Sequence, residues 1–358
     1  MIKYRRKPVT HKFEDASAED LVYVGLDVHK NSVHAAVRVN GKLVKTCVMP
    51  ADNAAVIKTL RPLAPGLKRI VYEAGPTGYN LARLIETIGW PVGVVAPGKT
   101  PKEANSGSKS DKLDCRKLAE YSEKNLLRTL AVPTEQEEAD RQLTRLRDHL
   151  KKKEKRIKQQ IKSFLLQHGH KEPPGLSHWS QYAIAELAKL ELLPELRFVL
   201  DIFLEELRTM QDQLEKTERR IKELAAMDRF AENKARLETH PGVGWQTAMK
   251  YLTEVYQPER FNETTEVARY VGLAPLVRQS GETRKKGPLI KAGQGPLRCF
   301  LIQASWQWIR HDPHAADVYR RLLSNTGCNQ KAITGMARRM AVNLWCMLTR
   351  SENYRNAE

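Results

Sequence analysis

The chain has 358 residues and a formal net charge of +18, with 41% hydrophobic and 28% charged residues; this fits about two or three folded domains and excludes wholesale disorder. No apolar run approaches the roughly 18 residues of a membrane span. The five cysteines form no CxxC pair, which excludes zinc-ribbon and disulfide scaffolds and makes a reducing, cytoplasmic location the expectation.

Residues 1–20 read as a basic, polar extension with no apolar core of the kind a secretory signal carries. The pattern then changes. Leu21–Val28, Ser32–Val39 and Lys42–Met49 read as three strands, the last two joined by Asn40-Gly41, a strong hairpin signal. A helix is expected over Ala54–Leu63, a strand over Arg69–Ala74, a helix over Tyr79–Ile88 and a strand over Val92–Ala96. Three strands followed by helix, strand, helix, strand predict a mixed α/β sheet in the order of ribonuclease-H-like folds. Pro97–Ser110 reads as a mobile basic loop, with Lys109 a candidate phosphate contact. A helix follows Ser110, a good N-cap, and runs to about Glu123.

The middle of the chain differs in character. Leu143, Leu146, Leu150, Ile157 and Ile161 are spaced near a heptad, and after a break at Pro173–Gly175 the rhythm resumes through Leu200, Phe203, Leu207, Met210, Leu214, Ile221 and Leu224. Two long charged helices with narrow apolar stripes fit a coiled-coil hairpin or dimerisation element, or a bundle packed on its own chain. From Leu237 the chain is compact again, with Gly- and Pro-marked turns and at least three more helices. The resulting organisation is an N-terminal extension (1–20), an α/β domain (21–130), a helical insertion (131–235) and a mainly helical C-terminal domain (236–358).

Four acids stand out in the α/β domain. Asp27 lies late in an apolar strand, where a carboxylate is costly unless paired, hydrogen-bonded or bound to a cation. Glu73 ends the fourth strand. Asp111 and Asp114, three apart at a helix start, share one face. Singly, each has a plain reading: Asp111 as a first-turn acid favoured by the helix dipole, Asp114 as an exposed acid, Glu73 as a turn cap. As a set they form an oxygen-rich group of the type that suits Mg²⁺, and paired Mg²⁺ ions serve phosphodiester chemistry. The positive excess of the chain points the same way, because Lys and Arg that neutralise a polyanion release its counterions.

The second half adds a cationic turn. Pro241-Gly242-Val243-Gly244 leads into a helix, and Gly242 and Gly244 are candidates for close backbone approach to a phosphate, though the same residues make a plain tight turn. Ser280 sits in QSGE, within a run bearing Arg278, Arg284, Lys285, Lys286, Lys291 and Arg298 against one acid, Glu282. Surrounding cations would hold a scissile phosphate; by local sequence alone Ser280 reads as a turn serine. No histidine is near it in sequence, which leaves a Ser-His-Asp hydrolase unsupported.

Three blocks, GLDVHK (Gly25–Lys30), YEAGPTGY (Tyr72–Tyr79) and SDKLDCRKLA (Ser110–Ala119), resemble the DEDD transposases of bacterial insertion sequences, the bridge-RNA-guided recombinases related to pilin-gene invertases. The run Arg269–Ser305 resembles their second conserved block. The resemblance implies a RuvC-like domain holding Mg²⁺ on Asp27, Glu73, Asp111 and Asp114. It also implies a nucleophilic Ser280 that forms a covalent phosphoserine with DNA, a guide RNA as partner, and a homo-oligomer, dimer or tetramer, in which different protomers supply the two domains. Cys115 departs from the small residue, such as Ala, expected after the last acid. A RuvC-like nuclease or junction resolvase using activated water is the alternative; an actin-like ATPase lacks its second phosphate loop, and a non-catalytic nucleic-acid binder would carry degenerate acids.

Overall fold

The computed structural model describes residues 13–97, 111–280, 283–289 and 293–355, and the chain divides into two compact units, residues 1–133 and 134–358. The expectations placed on Lys109 and Lys291 fall outside the described residues, as do the side chains of Asp111, Arg278, Ser280, Arg284, Lys285 and Lys286.

In the first unit, strands β1 (Val22–Val28), β2 (Ser32–Val39) and β3 (Lys42–Pro50) form an antiparallel meander. Asn40 and Gly41 both take positive φ, 48° and 84°, the backbone that a two-residue hairpin turn requires. Helix α1 (Asn53–Leu60), capped by the Asp52 carboxylate, leads to β4 (Leu67–Glu73), then α2 (Asn80–Thr87), β5 (Val92–Val95), α3 (Asp111–Glu123) and a short β6 (Thr129–Leu130). The sheet order is β3-β2-β1-β4-β5-β6, with β1, β4 and β5 parallel. All five strands expected in this unit are present; β6, only two residues long, carries no sequence signal of its own.

Alternation divides the two sheet faces. Val22, Val24 and Leu26 of β1, with Ile70 and Tyr72 of β4, pack under α1 and α2 in the larger core. The opposite face, carrying Gly25, Ala36 and Val71, is covered by α3 through Cys115, Leu118 and Ala119.

In the second unit, α4 (Glu135–Gln167) begins with a capping box between Thr134 and Glu137 and runs out to a tip containing α5 (Gln181–Ala188). Helix α6 (Pro194–Ala225) returns antiparallel to it: Arg147 pairs with Glu218 near the base and Phe164 meets Phe203 near the tip. Ile157, Ile161, Leu200, Leu204 and Leu207 are buried in this hairpin. Leu146, expected on the apolar stripe, is instead 46% exposed. The first turns of α4 face a different partner and bury Asp140, Arg141 and Thr144.

The remainder comprises α7 (Asp228–Glu238), α8 (Trp245–Glu254), α9 (Thr264–Tyr270), a β-ribbon of β7 (Pro275–Ser280) and β8 (Thr283–Leu289), α10 (Gly295–His311), α11 (Pro313–Thr326) and α12 (Asn329–Arg350). Helix α8 is buried from Thr247 to Glu254. Its two buried charges are matched: Lys250 reaches Asp148 of α4 at 2.7 Å, and Arg145 of α4 grips both Glu254 oxygens at 2.9 and 2.8 Å. Burial pushes the Glu254 carboxyl up, but the Arg145 hydrogen bond and the Lys250 and Arg145 charges outweigh it and hold the group below the usual carboxylate range. The base of the hairpin is thereby fastened to the C-terminal core by charge as well as by apolar packing.

Candidate active site

The position of the acids follows from one glycine. A Cβ built on Gly25 would stand 2.2 Å from the Cys115 carbonyl oxygen and 2.5 Å from the Ala119 amide, so β1 tolerates α3 at this distance only because no side chain intervenes. Ala36, paired with Gly25 across β1 and β2, extends the same flat patch. The other end of α3 is tied down as well: Glu123 accepts from Arg38 Nε at 2.6 Å and from the Gly41 amide at 2.9 Å, at the hairpin turn. Helix α3 therefore runs opposite to β1, and its N-terminal turn, bearing Asp111 and Asp114, lies at the end of β1 that carries Asp27.

Strand alternation brings two more carboxylates to this place. Asp27 follows Gly25 by two residues and shares its α3-facing side. In the parallel β1–β4 register Gly25 stands beside Val71 and Leu26 beside Tyr72; one step further, Glu73 stands beside Asp27, on a strand about 4.8 Å away. Asp27 and Asp114 are half-buried, and Glu73 is exposed at the strand end. The structure thus brings Asp27, Glu73 and Asp114 to one end of one sheet face, with the backbone of Asp111 at the same helix start. Among the described residues, no three His, Cys, Asp or Glu side chains converge as a metal-holding group; Asp27 Oδ2 lies 3.0 Å from His29 Nε2.

Cys115 belongs to the packing of this site. It is buried, and burial, followed by the Asp27 charge, pushes its thiol up to about 11. It is a neutral small residue against Ala36 and Gly25, which is what the approach of α3 demands.

The second candidate centre lies in the other unit. Ser280, expected in a turn, is the last residue of β7 and pairs with Thr283 across residues 281 and 282. Arg278, Arg284, Lys285 and Lys286 all fall on this ribbon, with Arg278 opposite Lys285. Arg298 lies on α10, and its Nη1 donates to the Gly272 carbonyl at 3.2 Å. The two glycines of the PGVG turn have different surroundings. Gly242, at φ 85°, is closed against α10, where a Cβ would stand 2.3 Å from the Ala304 carbonyl oxygen; Gly244, the N-cap of α8, has open space around it.

Sequence reasoning missed three contributors. His29 is the partner of Asp27, Gly25 seats α3, and Arg338 donates from Nε to the Leu273 carbonyl at 2.8 Å just before β7. Only Gly25 carried a readable signal, a glycine inside an otherwise apolar strand.

Two transposase family models match the chain. Residues 24–170 match the IS110-type DEDD transposase model, and residues 234–320 match the model described as transposase, IS116/IS110/IS902 family. The chain is 30% identical to a putative transposase of Sinorhizobium fredii over 296 residues, 81% of this chain and 72% of that protein. It is 28% identical to the transposase of insertion element IS1533 of Leptospira borgpetersenii, over 80% of this chain and 85% of that one. With the transposase of IS1111A of Coxiella burnetii the identity is 25%, over 95% and 93% of the two chains. With the acid blocks inside the first matched region and the serine ribbon inside the second, the chain belongs to the IS116/IS110/IS902 family of insertion-sequence transposases.

Proposed function

We propose that the protein is a DNA recombinase that moves an insertion sequence by a serine-mediated strand exchange, using a RuvC-like acid site and a guide RNA. The observation that carries this reading is the seating of α3 on Gly25, which sets the Asp114 turn over the end of β1 where Asp27 and Glu73 stand side by side. Carboxylates in such proximity repel one another, and the oxygen-only donor set suits Mg²⁺. Asp27, Glu73, Asp111 and Asp114 would hold it, and the ion would supply stabilisation of charge developing on phosphate oxygens.

The remaining chemistry belongs to the chain. Ser280 Oγ attacks phosphorus in one DNA strand; an Oγ–P bond forms, the bridging P–O bond breaks, and the leaving strand departs as a hydroxyl. The phosphodiester energy is kept in the phosphoserine, so attack by a hydroxyl of the incoming strand restores the serine and rejoins DNA without an external energy source. Arg278, Arg284, Lys285 and Lys286 are the cations closest in sequence to that phosphate and offset its charge. The open Gly244 end of α8 and the exposed Lys152, Lys153, Lys155 and Arg156 of α4 contact nucleic-acid backbones, which makes binding steeply salt-dependent. The protein works as a homo-oligomer on donor and target DNA.

Strand-exchange assays on wild type, Asp27→Asn and Ser280→Ala test this. Asp27→Asn is expected to lose at least about 10³-fold in rate while keeping DNA affinity and its salt slope. Ser280→Ala is expected to lose exchange and all covalent protein–DNA product. Full cleavage by Ser280→Ala would instead identify a nuclease that activates water at the acids.

A further inference from the structure

The ribbon that carries Ser280 is attached to the helical body at its base, and the attachment is specific. Gly272 and Gly293 both take positive φ, 74° and 111°, and lie so close that a Cβ on Gly293 would stand 2.6 Å from the Tyr270 carbonyl oxygen and 2.7 Å from the Gly272 amide. The chain entering β7 and the chain leaving β8 are thus pressed together. Leu273 is fully buried, and its amide donates to the Ala268 carbonyl at 2.8 Å. Two arginines then close on the carbonyls of this short segment: Arg338 of α12 on Leu273, and Arg298 of α10 on Gly272.

We propose that Arg338, assisted by Arg298, is a positioning residue for strand transfer: it holds the base of the β7–β8 ribbon against α12 and α10 and so fixes where Ser280 stands. This rests on the reading of Ser280 as nucleophile. Beyond Leu273 the strand runs through Pro275–Ser280, a lever of about 20 Å at roughly 3.3 Å per residue. A tilt of about 3° at its base moves the far end by about 1 Å, and a misplacement of that size can cost on the order of 10²-fold in rate. Arg338 is half-buried, and burial followed by the neighbouring Arg339 charge lowers its guanidinium from the ordinary arginine value. A buried guanidinium already committed to a carbonyl acts as a structural clamp, whereas exposed Arg339 next to it is free of that duty.

The test uses full-length protein on a nicked DNA substrate that traps the covalent intermediate. Three quantities are read: the single-turnover rate of adduct formation, DNA affinity, and hydrogen exchange of residues 275–289. Arg338→Ala is expected to slow adduct formation by about 10- to 100-fold, leave affinity within about twofold, and raise exchange in the ribbon. Millimolar guanidinium ion should restore part of the rate, and Arg338→Lys should fall between alanine and wild type. Arg339→Ala, which removes an adjacent charge without the clamp, should match wild type in rate and ribbon exchange. The proposal is overturned if Arg338→Ala keeps the wild-type rate, or if its affinity falls in parallel with rate, which would make Arg338 a phosphate contact. It is also overturned if exchange rises throughout the unit with no guanidinium rescue. A Ser280→Ala protein that still forms adduct would refute the nucleophile assignment, and the exchange comparison would still decide whether the arginines hold the ribbon.

Discussion

Substituting Gly25 by alanine is the smallest change that should dismantle the acid site without touching an acid. The added Cβ meets the Cys115 carbonyl oxygen at 2.2 Å and the Ala119 amide at 2.5 Å, about 1 Å inside ordinary van der Waals contact. Both are backbone atoms of α3, so no side chain can rotate away, and β1 is held on both edges by β2 and β4. The helix must shift by about 1 Å, and overpacking of this sort costs about 1–3 kcal/mol. Because Asp111 and Asp114 ride on that helix while Asp27 and Glu73 stay with the sheet, the same shift separates the two halves of the site. A loss on the order of 10²-fold in strand cleavage is expected, far more than the modest drop in Tm would imply. Cleavage rate, thermal melting and the Mg²⁺ concentration needed for half-maximal rate should be measured together. A Gly25→Ala protein with wild-type rate and Mg²⁺ requirement would show that α3 is not what assembles the acids.

Two further outcomes follow from buried charge. His240, which meets the Trp308 ring edge-on and the Tyr354 ring at a tilt with centroids 4.7 and 4.3 Å away, is buried, and desolvation lowers its pKa from 6.5 to about 4. The folded value is depressed, so its contribution is complete above pH 6.5 and is lost as pH falls towards 4, a change of about 3 kcal/mol; denaturant titrations should show this loss in wild type and much less of it in His240→Phe. Glu254→Gln removes the buried carboxylate that Arg145 grips, while Lys250 keeps Asp148, and should cost about 3 kcal/mol. In a double-mutant cycle with Arg145→Met the combined loss should fall well below the sum, and strict additivity would contradict a direct pairing.

The first unit was largely legible because its signals are local. Short apolar runs marked β1, β2 and β4, and Asn40-Gly41 marked the hairpin. Turn geometry fixes the β2–β3 register, whereas the meeting of Asp27 and Glu73 depends on the parallel pairing of β1 with β4, which no local signal sets. The ribbon was not legible: PLVRQS and TRKKGPL offer Leu276 and Val277 as their apolar content on one strand and Leu289 on the other, too little for alternation to show. Cationic strands of this kind read as loop. Leu146 was misplaced for a related reason. A heptad reading assumes that one partner covers the whole stripe, but the first turns of α4 face α8 through Thr144, which meets Thr253 at 3.0 Å, and through Arg145. Buried ion pairs such as Lys250–Asp148 cannot be told from solvated ones in sequence, since burial is decided by helices more than a hundred residues apart. Gly25 was visible as a residue, but its purpose emerges only once α3 is known to lie on it.

The central claim is that a serine on a cationic ribbon takes the DNA strand covalently in a reaction that depends on the four acids. The most direct measurement is proteolysis and mass spectrometry of protein trapped on a nicked substrate with Mg²⁺ present. A nucleotide phosphate attached to the peptide at Ser280, absent in Asp27→Asn protein, is the expected result; cleaved DNA with no protein-linked product, or a modification mapped to another residue, would contradict it.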